Sequence, residues 1–186
     1  MVFMSQLFTF CTPEDPVNRT INEPAAAGGW TIMIWLDGDN DLEWSATEDF
    51  NELEYGLYMA GLTDPDIINK VKIIVQIDRR PGIDPNSIYT GNDWTDTRRY
   101  IIRPDSAVPE TDTNSYRWTS QRIDNDMGEV NMGDAVEVKD FIEYCQEHFP
   151  ADNYALILWN HGGGLMKKVS SSESDAAGTT DAISKN

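Results

Sequence analysis

The chain has 186 residues, enough for one domain or most of one, and its 40% hydrophobic content with 6 Trp, 7 Tyr and 6 Phe excludes disorder along the whole length. Lys and Arg number 14 against 32 Asp and Glu, a formal net charge of −18, which excludes non-specific nucleic-acid binding because that needs a basic face. No stretch approaches the roughly 20 apolar residues of a membrane-spanning helix.

Residues 1–29 read as a leader or tether, punctuated by Pro13, Pro16, Pro24, an alanine run and Gly28-Gly29. Within it, apolar Leu7-Phe8-Thr9-Phe10 runs into Cys11 and then into a turn-rich segment. That pattern resembles the end of a bacterial lipoprotein signal, with Cys11 as the lipidated residue and a lipid anchor as the consequence. Two features oppose it: no Lys or Arg precedes the apolar run, and Phe10 stands where a small residue belongs. A plain leader is the other reading.

Order is expected from Trp30. Thr31-Ile32-Met33-Ile34-Trp35-Leu36 is a continuous apolar run ending at Asp37-Gly38, which predicts a strand buried on both faces of an α/β sheet. A helix follows, with Asn40 or Asp41 able to cap it. Leu42, Ala46, Phe50, Leu53 and Leu57 share one face, and acidic residues are expected to fill the other. Gly61–Asn69 is a connection, and Val71–Asp78 is a second buried strand, so that strand, helix and strand make a parallel βαβ unit.

Residues 79–132 are rich in turn formers, with one short strand at Arg98–Arg103 that forms half of a hairpin. Gly133–Phe149 predicts the second helix, its apolar face formed by Val138, Phe141, Ile142, Cys145 and Phe149, and Pro150 ends it. Tyr154–Asn160 predicts a third buried strand, leading directly into His161-Gly162-Gly163-Gly164. The tail 167–186 is Ser, Ala, Thr and Asp without periodicity and reads as a flexible segment. Three strands and their helices make only part of a doubly wound sheet, so further chain is expected downstream.

Ligands and reacting groups of open α/β sheets gather at the carboxyl ends of the strands. His161 stands at such an end, where an imidazole can serve as general acid or base. The glycines behind it allow close backbone approach and can aim N–H groups at an oxyanion. His148, in the last turn of a helix, reads as a partner of the helix dipole. A strand followed by HGGG also occurs as the oxyanion segment of α/β-hydrolase esterases, but no G-x-S-x-G nucleophile elbow is present. Asp37, Asp39, Asp41 and Glu48 match calcium-ligand positions of an EF-hand loop, yet Leu42 stands where that loop needs glycine and a strand leads into it. A cap and turn, or another acidic site at the sheet end, is the better reading. Asp78-Arg79-Arg80 closes the second strand, either as solvated charges or with an arginine reaching the cleft. Neither cysteine suits a nucleophile: Cys145 lies on a buried helix face and Cys11 in the leader. If His161 is catalytic, its nucleophilic partner lies outside this chain.

Trp30 to Glu43 resembles the first strand and turn of clostripain-related cysteine peptidases. Val71 to Arg79 is similar to their second strand, and Met132-Gly133-Asp134 with Phe141-Ile142 to their next helix. Tyr154 to Gly164 is the most specific match. The resemblance implies a caspase-like α/β/α sandwich with a mostly parallel central sheet, here residues 30–166 and incomplete without a downstream heavy chain. It implies a Cys–His dyad in which His161 is the histidine, Gly162 offers an oxyanion N–H, and the cysteine comes from the heavy chain. It also implies self-cleavage between the two, in the segment 167–186, with Lys167, Lys168, Lys185 and Asn186 as processing candidates. The substrate is then a peptide or protein, cut after Arg, Lys or Asn, and the setting is extracellular or the cell envelope. The sequence itself requires no cofactor and offers no clean metal site, while calcium dependence is known in the family. Two alternatives stand beside this reading: an inactive relative that binds a peptide, and the esterase fragment.

Overall fold

The computed structural model describes residues 21–80, 94–106 and 118–162. A five-stranded sheet forms its centre, in the order β4-β3-β2-β1-β5. The strands are β1 (Trp30–Gly38), β2 (Val71–Arg79), β3 (Arg98–Ile101), β4 (Gln121–Arg122) and β5 (Asn153–Trp159). Three helices accompany them: α1 (Glu43–Met59), α2 (Pro65–Ile68) and α3 (Ala135–His148).

β1 is the centre of the parallel part. It pairs with β2 from Trp30↔Val71 to Gly38↔Arg79, and with β5 from Trp30↔Asn153 to Leu36↔Trp159. All three carboxyl ends therefore emerge along one edge. β3 runs antiparallel to β2 and β4 antiparallel to β3, so the sheet is mixed, with its antiparallel pair beyond β2. The expected hairpin half at Arg98–Arg103 is β3, shorter than expected.

Alternation along the strands sends neighbouring residues to opposite faces. Ile34, Leu36, Ile73, Val75 and Ile77 pack with Ala46, Phe50 and Leu57 of α1 on one side. Met33, Trp35 and Ile74 pack with Phe141 and Cys145 of α3 on the other. Helix, sheet and helix thus make three layers, and β1 and β2 are buried on both faces as their apolar runs predicted.

Four details depart from the sequence reading. α1 starts at Glu43 with Leu42 as its uncapped N-cap, because the Asn40 side chain instead accepts from the Leu42 N–H at 2.8 Å and closes a turn ahead of the helix. The acidic residues of α1 do not all face water, since Glu43 and Glu54 are completely buried. The connection 61–69 holds the short helix α2, capped by Asp64 with Pro65 at its first position. β5 is not a buried strand: Leu156, Ile157 and Leu158 are 38%, 47% and 64% exposed, because β1 covers one edge and no described strand covers the other.

Residues 21–29 are tied to the domain before β1 begins. The amides of Glu23, Ala25 and Ala26 donate to the carbonyls of His148, Pro150 and Asn69. α3 is capped by Asp134, which accepts from the Val136 N–H at 2.9 Å. His148 closes its last turn, as expected. No helix among the described residues is long and apolar enough to cross a membrane.

Candidate active site

The apolar run of β5 ends at Trp159, whose indole N–H donates to Asp49 of α1 at 2.7 Å and fixes the strand end against that helix. Asn160 and His161 follow at the carboxyl edge. The Asn160 amide donates to the Asp37 carboxylate at the end of β1, and its oxygen accepts from the His161 backbone N–H. The same oxygen accepts from the Asn40 side chain at 3.3 Å, and Asn40 also donates to the Asp37 carbonyl at 2.9 Å. A polar network thus joins the turn after β1 to the end of β5.

His161 is more than half exposed, and its Nε2 lies 2.7 Å from Asp41 Oδ1. The Asp41 carboxyl is held below the ordinary carboxylate range, chiefly by this hydrogen bond. A cleft of about 510 Å³ opens beside the ring, with Trp35, Met132, Val138, Leu158 and Gly162 among its walls. A side chain added at Gly162 would meet nothing within 4 Å, so its backbone faces open space.

A second recess of about 470 Å³ adjoins the first and shares Asp37, Met132 and Gly133 with it. Its chemistry is acidic: Asp39, Asp78 and Glu129 bring oxygens within 4.8 Å of one another. Burial and then the charge of Glu129 push the Asp78 carboxyl up to about 7. Asp37 is raised by burial and by Asp39, and Glu129 by burial and by Asp39 and Asp96. Gly38 lets the end of β1 lie close against β2, because a Cβ there would sit 2.8 Å from the Asp78 carbonyl.

The four positions weighed as an EF-hand loop do not converge. Asp39 meets Asp78 and Glu129, Asp41 meets His161, Asp37 meets Asn160, and Glu48 lies within α1. Arg79 does not reach the cleft. It is buried, paired with Glu43 at 2.6 Å and stacked over Trp94 at 4.8 Å. Cys145 is buried in α3 and its thiol is pushed up to about 12 by burial, so it is no nucleophile. Cys11, Lys167, Lys168, Lys185 and Asn186 lie outside the described residues.

The structure brings His161 and Gly162, expected at the sheet end, to the rim of one cleft and places the acidic turn beside them. Sequence reasoning missed the pairing of His161 with Asp41 and the convergence of Glu129 on β1 and β2. Glu129 carries no local signal, because it sits in an irregular segment brought to the sheet edge by Thr97, whose N–H donates to the Gly128 carbonyl at 2.9 Å and whose hydroxyl accepts from the Val130 N–H at 3.0 Å.

Comparison with known proteins fits this geometry. The clostripain family matches residues 34–182. Clostripain from Hathewaya histolytica is 36% identical over 138 residues, 74% of this chain and 24% of clostripain, so the chain spans about a quarter of that relative. A Bacteroides fragilis cysteine protease superposes with a TM-score of 0.53 at 20% identity, over 76% of this chain and 95% of that one. A clostripain from Bacteroides thetaiotaomicron, solved in complex with the peptide inhibitor BTN-VLTK-AOMK, gives 0.51 at 12% identity, over 78% and 97%. A secreted C11 cysteine protease from the same organism gives 0.53 at 21%, over 76% and 32%. These structures share the caspase-like architecture expected of the sheet. With a family match along most of its length, the chain belongs to the clostripain family of cysteine proteases.

Proposed function

We propose that this chain is the light chain of a cysteine endopeptidase and supplies its histidine. The observation that carries the reading is the position of His161. It follows the last described strand, borders a cleft at the carboxyl edge, and stands beside a strand whose outer edge is open and apolar. A parallel strand added along β5 would bring its own carboxyl end next to His161, where the family resemblance expects the cysteine. The solved relatives matched over 95% and 97% of their own chains support a separate polypeptide of about this extent. Cleavage within 167–186, at Lys167, Lys168, Lys185 or Asn186, would release it from a heavy chain.

The chemistry then runs as follows. The thiol proton of the heavy-chain cysteine passes to His161, and the thiolate attacks the carbonyl carbon of the scissile bond. The carbonyl oxygen takes the negative charge and accepts from the Gly162 N–H. The His161 imidazolium protonates the leaving amine as the C–N bond breaks, leaving a thioester. His161 next takes a proton from water as it attacks the thioester, and returns that proton to the departing sulfur.

The acidic recess beside His161 suits a cationic side chain, so substrates cut after Lys or Arg fit better than those cut after Asn. The relative solved with a lysine-bearing inhibitor supports the same choice. Calcium finds three carboxylates in Asp39, Asp78 and Glu129, but Asp78 already accepts from the Arg79 N–H and from Thr97. With one oxygen each, the three would need second carboxylate oxygens, main-chain carbonyls or water to reach the roughly six to eight that calcium takes, and no step is routed through the ion. A secreted relative supports an extracellular or envelope setting, in which lipidation of Cys11 would be an anchor.

The test is denaturing intact-mass spectrometry of the whole protein after reaction with an irreversible thiol-reactive peptide ending in Lys. The expected result is two polypeptides, with the label on the second. Peptide binding without label or cleavage would replace this reading with that of an inactive relative.

A further inference from the structure

We propose that Asp41 is a positioning residue for His161, holding the imidazole by Nε2 so that Nδ1 is the nitrogen that exchanges protons with the nucleophile. The proposal rests on the peptidase reading above. Its ground is the contact at 2.7 Å between Asp41 Oδ1 and His161 Nε2, two groups 120 residues apart in sequence.

Both ends of this contact are held in place. Asp41 sits in a turn closed by the Asn40 N–H on the Gly38 carbonyl at 2.8 Å and by the Leu42 N–H on the Asn40 side chain at 2.8 Å. The His161 main chain is held through Asn160, whose side chain reaches Asp37 and Asn40 of that same turn. The β1–α1 turn therefore reaches the catalytic strand twice, once by its amide network and once by the Asp41 carboxylate. An imidazole that donates Nε2–H to a carboxylate is fixed in one tautomer and one ring orientation, with Nδ1 left as the acceptor.

The carboxylate also complements the positive charge that His161 acquires when it takes the thiol proton, the role an aspartate plays behind a histidine in serine peptidases. The charges of His161 and Arg80 act on Asp41. As the pair stands, both side chains are more than half exposed, and an exposed ion pair adds little to stability. Removing Asp41 should therefore leave the fold intact and act on the reaction alone.

The experiment compares wild-type protein, with its heavy chain, against Asp41→Ala, Asp41→Asn and Asp41→Glu on a peptide substrate ending in Lys. The expected result for Asp41→Ala is a fall in kcat of about tenfold or more with KM within about twofold and an unchanged melting temperature. Asp41→Glu should recover part of the rate. Asp41→Asn, which keeps the shape but not the charge, should fall with Asp41→Ala rather than with Asp41→Glu. Equal kcat and KM in an active wild type and Asp41→Ala, with no difference between Asp41→Asn and Asp41→Glu, would overturn the positioning role and leave the peptidase reading standing. A wild-type protein that neither cleaves the peptide nor takes the covalent probe overturns both.

Discussion

Arg79 Nη2 meets Glu43 Oε1 at 2.6 Å in a place where neither side chain reaches water. The pair joins the last residue of β2 to the first residue of α1, and so anchors the turn that carries Asp39, Asn40 and Asp41. The second Glu43 oxygen has no hydrogen-bond partner, so Arg79 is what makes the buried charge tolerable. Removing one member of a buried pair strands the other, at a cost of about 3–5 kcal/mol. Arg79→Met should therefore lower the urea midpoint sharply, while the double variant Glu43→Leu with Arg79→Met should regain much of the loss. Urea unfolding of the two variants and the wild type measures both.

His161 offers the opposite case. It is more than half exposed and its side chain makes one surface pair, so the fold does not depend on it. His161→Ala in the complete enzyme should lower kcat/KM by at least about 100-fold, the scale of general acid–base catalysis, with the melting temperature unchanged. A rate assay beside a thermal melt reads both halves. Rates near wild type would remove His161 from the mechanism.

Glu54 predicts a pH dependence. It is fully buried, accepts the Thr119 and Ser120 N–H groups at 2.9 and 2.7 Å on one oxygen, and leaves the other oxygen unpartnered. Burial pushes its carboxyl up to about 7 against an ordinary value of 4.5. A folded-state value raised above the unfolded one means that the folded state binds the proton more tightly. The stability from Glu54 is then fully present below about pH 4.5 and is lost as pH rises through about 7. Asp78, also pushed up to about 7, contributes with the same sign. Glu54→Gln should flatten the fall in stability between those pH values, as followed by urea midpoints at several pH values. An identical slope in wild type and variant would contradict the assignment.

The parts of this fold that were readable in the sequence are those set by period and punctuation. The apolar runs Thr31–Leu36 and Val71–Ile77 became β1 and β2 because alternation with two covering helices buries every position except the half-buried Ile32 and Val71. His161 and Gly162 were readable because a strand followed by histidine and glycine puts them at a sheet edge. What stayed hidden depends on long-range closure. Glu43 and Glu54 look like solvent-facing helix residues until Arg79 and the amides of residues 119–120 arrive to satisfy them. Asp41 reads as a helix cap until the register of β1 with β5 brings the strand end above it.

β5 supplies the last prediction. Leu156 and Leu158 point to one face of the sheet and Ile157 to the other, and all three are exposed. α1 and α3 pack over β1, so neither layer covers the far side of β5. An exposed apolar strand edge is a template for another strand. On the peptidase reading proposed above, that strand comes from a heavy chain. Ile157 lies on the face away from the Leu158 side of the His161 cleft, so Ile157→Asp tests docking without changing the cleft wall. The variant should lose its heavy chain on gel filtration, whereas the wild type keeps it. Hydrogen exchange gives a second readout: the β5 amides that do not bond to β1 should be protected in the wild-type complex and should exchange freely in Ile157→Asp. Protection that survives the substitution, with both chains still eluting together, would mean that the heavy chain docks elsewhere.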